Sequence, residues 1–276
     1  MIARTPKLVS SLLMVLLIIV ALIMIFPILW IALTSLKPES LILGKPAKLF
    51  PEVYTIEQYG LLLNAIPFFT FVKNSLIFAG GVTIISLFFD SMAGYAFAKL
   101  RFPGSNIVFF LVLATLMIPF QIVMIPLYLM MHKLHGLDTY WGMIIPRITN
   151  AFGIYLMRQF FLSVPEDLLD AGRIEGLSEF KIYIKIALPI TTTALTTLGV
   201  FHFMYNWNDF LWPLIITTSQ EMRTLPVGLA LFTGEHVMEH GPIMAGAVLS
   251  IIPILIFYLF AQKTFIKGVA LSGMKG

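Results

Sequence analysis

The chain has 276 residues, is 59% hydrophobic and only 12% charged, and carries no cysteine and a net charge of +4. An average soluble domain is about 45–50% apolar and about 25% charged, so this composition excludes a free-standing soluble domain and makes the bilayer the natural solvent. Disulfides, thiolate metal sites and cysteine nucleophiles are excluded outright, and no basic patch with interleaved aromatic residues marks a nucleic-acid surface.

Charged residues fall into islands between apolar runs of about 20 residues, the length that crosses a hydrocarbon core as a helix. Six transmembrane helices are predicted, at about 8–33, 71–97, 107–129, 139–161, 186–217 and 243–263, which makes an all-α polytopic membrane protein. The ten-residue alternating segments of a membrane barrel do not appear. The first run follows Arg4 and Lys7 as a signal peptide would, but its length and the lack of a small-residue cleavage site make it a retained span. Residues 37–70 are too polar to span and are expected outside. Six spans put both termini on one side, with Lys99, Arg101, Arg173 and Lys181 among the majority of the 18 Lys and Arg residues; the positive-inside rule makes that side cytoplasmic. The chain then divides into 1–70, a first span with an external segment; 71–265, a transmembrane core; and 266–276, a cytoplasmic tail.

Within the core, the cytoplasmic loop 163–184 is the most charged stretch. Ser163-Val-Pro-Glu166 has the form of a capping box, with Ser163 accepting from a first-turn amide and Glu166 reaching back. Leu168, Leu169, Ala171 and Ile174 then interleave with Glu166, Asp167, Asp170, Arg173 and Glu175. Gly176 supplies a helix stop and Ser178 a cap for the next helix. Such a helix–glycine–helix corner suits either a groove on a partner protein or the lipid headgroups, and the acidic polar face argues against lipid.

Asp170-Ala171-Gly172-Arg173-Ile174-Glu175-Gly176 resembles the loop pattern of the membrane subunits of bacterial and archaeal ABC importers. Leu188-Pro189, Trp207-Asn208-Asp209-Phe210, Tyr95-Ala96-Phe97-Ala98, Phe102-Pro103-Gly104 and Met117-Ile118-Pro119 are similar to the carbohydrate branch of that family, of the type of the shorter maltose permease subunit. The pattern is changed at three places, where Asp170 replaces Glu, Gly172 replaces Ala and Glu175 replaces Asp. The resemblance implies a type I (MetI-like) permease fold in which 163–184 couples to separate ATPase subunits through Asp170, Ala171, Gly172, Glu175, Gly176 and Leu177. It also implies a second homologous permease subunit, two ATPase subunits, an extracytoplasmic solute-binding protein, and residence in the cytoplasmic (inner) membrane. The imported solute is expected to be a sugar or short oligosaccharide, with a non-sugar solute such as a glycerol phosphate as the alternative. No phosphate-cradling Gly-x-x-x-x-Gly-Lys-Ser/Thr loop occurs, so the chain is expected to bind no cofactor and to perform no chemistry, ATP and Mg²⁺ being used by the partners.

Polar groups inside spans face protein or water rather than lipid. Trp207, Asn208 and Asp209 lie, on a straight helix, roughly 35 Å beyond Lys185 at about 1.5 Å per residue, and they suit either a solute pathway or an interfacial belt shared with Trp212. Asn150, with Arg147, is a second pathway candidate. Asp90 is expected to pair with a lysine or cap a neighbouring helix, His202 to be a satisfied interior histidine, and Thr191, Thr192, Thr193, Thr196 and Thr197 to bond their own helix carbonyls. His236 and His240 have metal-ligand spacing if helical, but they are read as part of a solvated outer loop and no metal is expected. A gradient-driven transporter would need acids near the midplane, and an enzyme a nucleophile–base pair; the spans supply neither.

Overall fold

Proline and asparagine divide three of the six predicted spans. In the computed structural model, which describes residues 7–43, 48–235 and 239–273, the helices in chain order are α1 (Lys7–Thr34), α2 (Glu39–Ile42), α3 (Glu57–Ala65), α4 (Phe68–Lys99), α5 (Ser105–Ala114), α6 (Phe120–Lys133), α7 (Tyr140–Ile144), α8 (Ala151–Leu162), α9 (Glu166–Ile174), α10 (Glu179–Ile182), α11 (Leu188–Ile190), α12 (Thr192–Trp207), α13 (Leu211–Ile216), α14 (Leu225–Glu235) and α15 (His240–Gly273). No strand occurs among the described residues. The all-α reading holds.

Among the described residues three helices are long and apolar enough to cross a membrane unaided: α1, α4 and α15, the last over His240–Leu259. Two bent helix pairs are apolar enough to be a broken span or a re-entrant loop. Ser105–Met117 and Phe120–Lys133 meet at 98°, and Glu179–Ile190 and Thr192–Trp207 at 83°. The fourth predicted span, 139–161, is cut into α7, a 3₁₀ turn over Ile145–Arg147 and the 12-residue α8. The breaks have local causes. Pro119 has no amide to give and forces Ile118 into an extended conformation (φ −89°, ψ 112°). Asn150 leaves the helix (φ −143°, ψ 131°) and caps α8 by accepting from the Phe152 amide at 2.8 Å. Before Pro189 the helix widens into a π turn over Tyr183–Ala187, a recognised cause of sharp bends. Asp209 therefore does not lie at the end of a straight helix running from Lys185, because that helix turns at Thr191.

The chain forms two compact units, residues up to Pro67 with Leu229–Ile252, and Phe68–Gly228 with the chain from Pro253. In the first, Glu39 accepts from the backbone amides of His240 and Gly241 at 2.8 and 2.7 Å, capping the start of α15 where a negative charge is favoured. Lys37, buried, lays its ammonium 5.5 Å from the centre of the Trp30 ring.

In the second unit α4 is the axis, packed along α8 and α12. A Cβ at Gly94 would stand 2.7 Å from Met157 Cβ and 2.9 Å from the Arg158 amide nitrogen, so α4 and α8 touch backbone to backbone, as small residues allow in membranes. One buried cluster joins Tyr95 of α4 with Phe161, Leu169, Tyr183 and Leu198. Another holds Phe78, Met131, Met143, Trp212 and Ile216. Apolar residues of α1 remain exposed along its length, Met24 at 72%, as a lipid-facing helix requires.

Candidate functional site

Two regions concentrate polar chemistry in the second unit. The first is the loop 163–184. The capping box predicted from Ser163 and Glu166 does not form: Ser163 closes α8, donating its hydroxyl to the Phe160 carbonyl at 2.7 Å, and α9 starts at Glu166 behind Pro165. Glu166 instead accepts from Lys99 of α4 at 3.0 Å and from Arg173 at 3.2 Å. The Lys99 hydrogen bond, against an opposing effect of burial and with help from Arg173, holds its carboxyl below the ordinary range. Arg173 also reaches Asp170 at 2.7 Å and Glu179 at 2.8 Å, so one guanidinium gathers three acids and ties α9 to α10.

Helix α9 ends as Gly176 predicts. Gly176 is left-handed (φ 78°), its amide donates to the Arg173 carbonyl and the Leu177 amide to the Gly172 carbonyl, both at 3.0 Å. That is the 6→1 and 5→2 pair of a Schellman closure. Gly172 is buried, and a Cβ there would stand 2.8 Å from Ile186 Cδ1 and 3.2 Å from Ile182 Cγ1, so the glycine lets α9 lie close on the following segment. Asp170, Ala171, Glu175 and Gly176 are exposed, and Leu177 is half-buried. Ser178 stands at the start of α10 without a side-chain cap bond. Beside the charges, Leu168 and Ile174 project at 46% and 88% exposure.

The second region is a cavity of about 690 Å³ where the helix breaks converge. Its wall includes Gln121 after Pro119, Arg147, Thr149 and Asn150 at the break before α8, and His202 and Tyr205 of α12. Irregular backbone at membrane depth is tolerated only where protein or water covers it, which is the condition this cavity meets. Arg147 donates to Asp209 at 2.5 Å, each side chain being 10% exposed, and its guanidinium lies 4.4 Å from the Phe120 ring centre and 5.4 Å from that of Tyr205. Asp90, fully buried, accepts from Thr149 Oγ1 at 2.7 Å, from the Asn150 amide at 3.1 Å and lies 2.9 Å from His202 Nε2. It caps a neighbouring helix as expected; its side-chain partner across the interior is the histidine rather than a lysine.

Of the residues predicted for a pathway, Asn150 lines this cavity and Asp209 stands behind it on Arg147. Trp207 does not. It is 2% exposed and stacked on Phe203 with ring centres 5.8 Å apart. Trp212 is fully buried, its indole donating to the Met143 carbonyl at 3.0 Å, so neither tryptophan forms an interfacial belt. Asn208 is exposed and donates to the Met204 carbonyl at 2.7 Å. Thr196 and Thr197 bond carbonyls of their own helix, α12, while Thr191 and Thr192 bond the Ala187 and Pro189 carbonyls of the segment before the bend. No metal-holding cluster occurs among the described residues; His236 lies outside them. No sequence pattern marks Gln121, Thr149 or Tyr205, although Pro119 and Asn150 mark the breaks that expose them.

Residues 90–270 match the family described as Binding-protein-dependent transport system inner membrane component. The chain belongs to this family. It is 38% identical over 93% of its length to the Arabinooligosaccharides transport system permease protein AraQ of Bacillus subtilis (strain 168), covering 92% of that protein. It is 30% identical over 89% of its length to the sn-glycerol-3-phosphate transport system permease protein UgpE of Shigella flexneri serotype 5b, covering 90% of that protein. The structure superposes with a TM-score of 0.82 and 28% identity on a chain of a bacterial ABC transporter involved in the import of the acidic polysaccharide alginate, covering 96% of this chain and 99% of that one. The fold is thus that of an ABC importer permease, an inner-membrane transport component.

Proposed function

We propose that this permease moves a sugar or short oligosaccharide, coupled through residues 163–184 to ATPase subunits that bind ATP and Mg²⁺, the chain itself binding no cofactor. A second homologous permease subunit, two ATPase subunits and an extracytoplasmic binding protein complete the assembly, with both termini cytoplasmic and 71–265 as the transport core. The observation that carries the coupling is the exposed apolar pair Leu168 and Ile174 on a charged helix whose internal ion pairs and Schellman closure fix its shape before any partner arrives. A preformed helix of this kind loses little conformational freedom on docking. Asp170, Ala171, Glu175 and Gly176 form its outer rim, with Gly172 and Leu177 supporting it from below.

The solute assignment rests on the arabino-oligosaccharide and alginate names of the relatives and on the cavity chemistry. Asn150 and Gln121 offer amide groups, and Tyr205, 58% exposed, an aromatic face, which suit sugar hydroxyls and ring faces. Asp209 takes part by holding Arg147, Asn208 flanks this pair, and Trp207 serves as packing. The glycerol phosphate relative supports a second reading, in which Arg147 meets a phosphate. The assembled importer, reconstituted with its binding protein, should show ATP-dependent uptake of labelled arabino-oligosaccharide; uptake of labelled glycerol 3-phosphate in its place would favour the second reading.

A further inference from the structure

Three residues within 90–95 of α4 reach three separate parts of the chain. Tyr95 Oη donates to Glu179 Oε2 at 3.0 Å, and Ser91 Oγ lies 2.7 Å from Tyr183 Oη. One residue earlier, Asp90 holds Thr149, the Asn150 amide and His202. Ser91, Tyr95 and Tyr183 are at most 3% exposed. The first two bonds grip the segment that leaves the Gly176 corner. The last three grip the wall of the cavity.

The direct route along the chain between those places is a poor conductor of movement. From Glu179 it runs through the π turn and bends by 83° at Thr191 before it reaches His202. Helix α4, in contrast, is one unbroken helix from Phe68 to Lys99. Apolar contacts let packed helices slide, whereas a buried hydrogen bond in a low-dielectric interior has to break before its ends can part. A displacement of 179–187 would therefore enter α4 at Ser91 and Tyr95 and leave it at Asp90.

We propose that residues 90–95 of α4 are the relay between the ATPase-docked corner and the solute cavity, with Tyr95 and Tyr183 as its input and Asp90 as a positioning residue for Thr149, Asn150 and His202 at its output. This rests on the coupling reading given above. The plainer alternative is that these bonds only satisfy buried polar groups.

The test uses Gln121→Cys in the otherwise cysteine-free chain, assembled with its partner permease and ATPase subunits. Gln121 is exposed in the cavity, so its reaction with a water-soluble maleimide reports cavity access without any solute. With native α4 the labelling rate should differ about fivefold or more between the nucleotide-free and ATP-locked complexes, a typical allosteric coupling. In Tyr95→Phe/Tyr183→Phe, which deletes two hydroxyls and keeps both rings packed, and in Asp90→Leu, which removes the acceptors for Thr149 and the Asn150 amide, that difference should collapse while ATP still binds. A difference that persists in both variants overturns the relay. Gly176→Leu is run in parallel: if it abolishes the difference while the α4 variants do not, only the relay is wrong, and if it too leaves the difference intact, the coupling reading falls with it.

Discussion

Arg147 and Asp209, 62 positions apart, meet at 2.5 Å behind the cavity wall, with the guanidinium held between Phe120 and Tyr205. Truncating one partner of a buried pair strands the other and costs on the order of 3 kcal/mol. Asp209→Ala should therefore lower the melting temperature of the purified complex and reduce uptake. Asp209→Ala with Arg147→Ala should recover stability relative to the single variant, which a double-mutant cycle measures. Additive losses would show that the pair contributes nothing.

Gly153 bears on Asp90. A Cβ there would sit 2.1 Å from Asp90 Oδ2 and 3.0 Å from His202 Nε2, and overpacking of this kind costs about 1–3 kcal/mol. Gly153→Ala should lower thermal stability by that amount. At Gly80 of α4, nothing lies within 4 Å of where a methyl group would project, so Gly80→Ala should be neutral or stabilise by about 0.5–1 kcal/mol. Equal melting temperatures for the two variants would contradict the packing described.

The Lys99–Glu166–Arg173 cluster predicts a pH dependence. Glu166 titrates below its ordinary value of 4.5, so its contribution to docking α9 on α4 is complete above pH 4.5 and is lost as the pH falls through the lowered value. Because Glu166 is half-exposed, the effect is small, about 0.2–1 kcal/mol. Protection of the 166–176 amides, taken relative to the intrinsic exchange rate at each pH, should fall only below pH 4.5, and Glu166→Gln should weaken it already at neutral pH. A loss of protection beginning between pH 6 and 7 would point to another group.

How much of this is legible in the sequence differs by feature. Unbroken apolar runs mark α1, α4 and α15, because length and hydropathy alone define a span. The bends are not legible, since periodicity does not report where Pro119 or Asn150 turns the chain, and three predicted spans hide the cavity for that reason. Gly176 is readable because a left-handed stop asks for glycine. Ser163 misleads because its hydroxyl finds the Phe160 carbonyl first. Trp207 and Trp212 suit a belt or a pathway by position, but their rings are core, which composition cannot distinguish. Asp90 is recognisable as a cap; its contact with His202, 112 positions away, is beyond any local pattern.

Gly176 offers the most direct test of coupling through 163–184. Its left-handed φ of 78° disfavours a side chain, by about 1–2 kcal/mol, yet nothing lies within 4 Å of where a Cβ would point. The position is open at the Cβ, so on the coupling reading a bulky residue there would project against a docked ATPase. Gly176→Asn, which tolerates the left-handed conformation, serves as the backbone control. The measurement is retention of ATPase subunits, and ATP-driven transport in liposomes, for Gly176→Leu against Gly176→Asn. Coupling through this corner predicts that Gly176→Leu inserts and pairs with its partner permease but loses the ATPase or its coupling, while Gly176→Asn keeps more of both. Normal ATPase retention and normal transport by Gly176→Leu would contradict it.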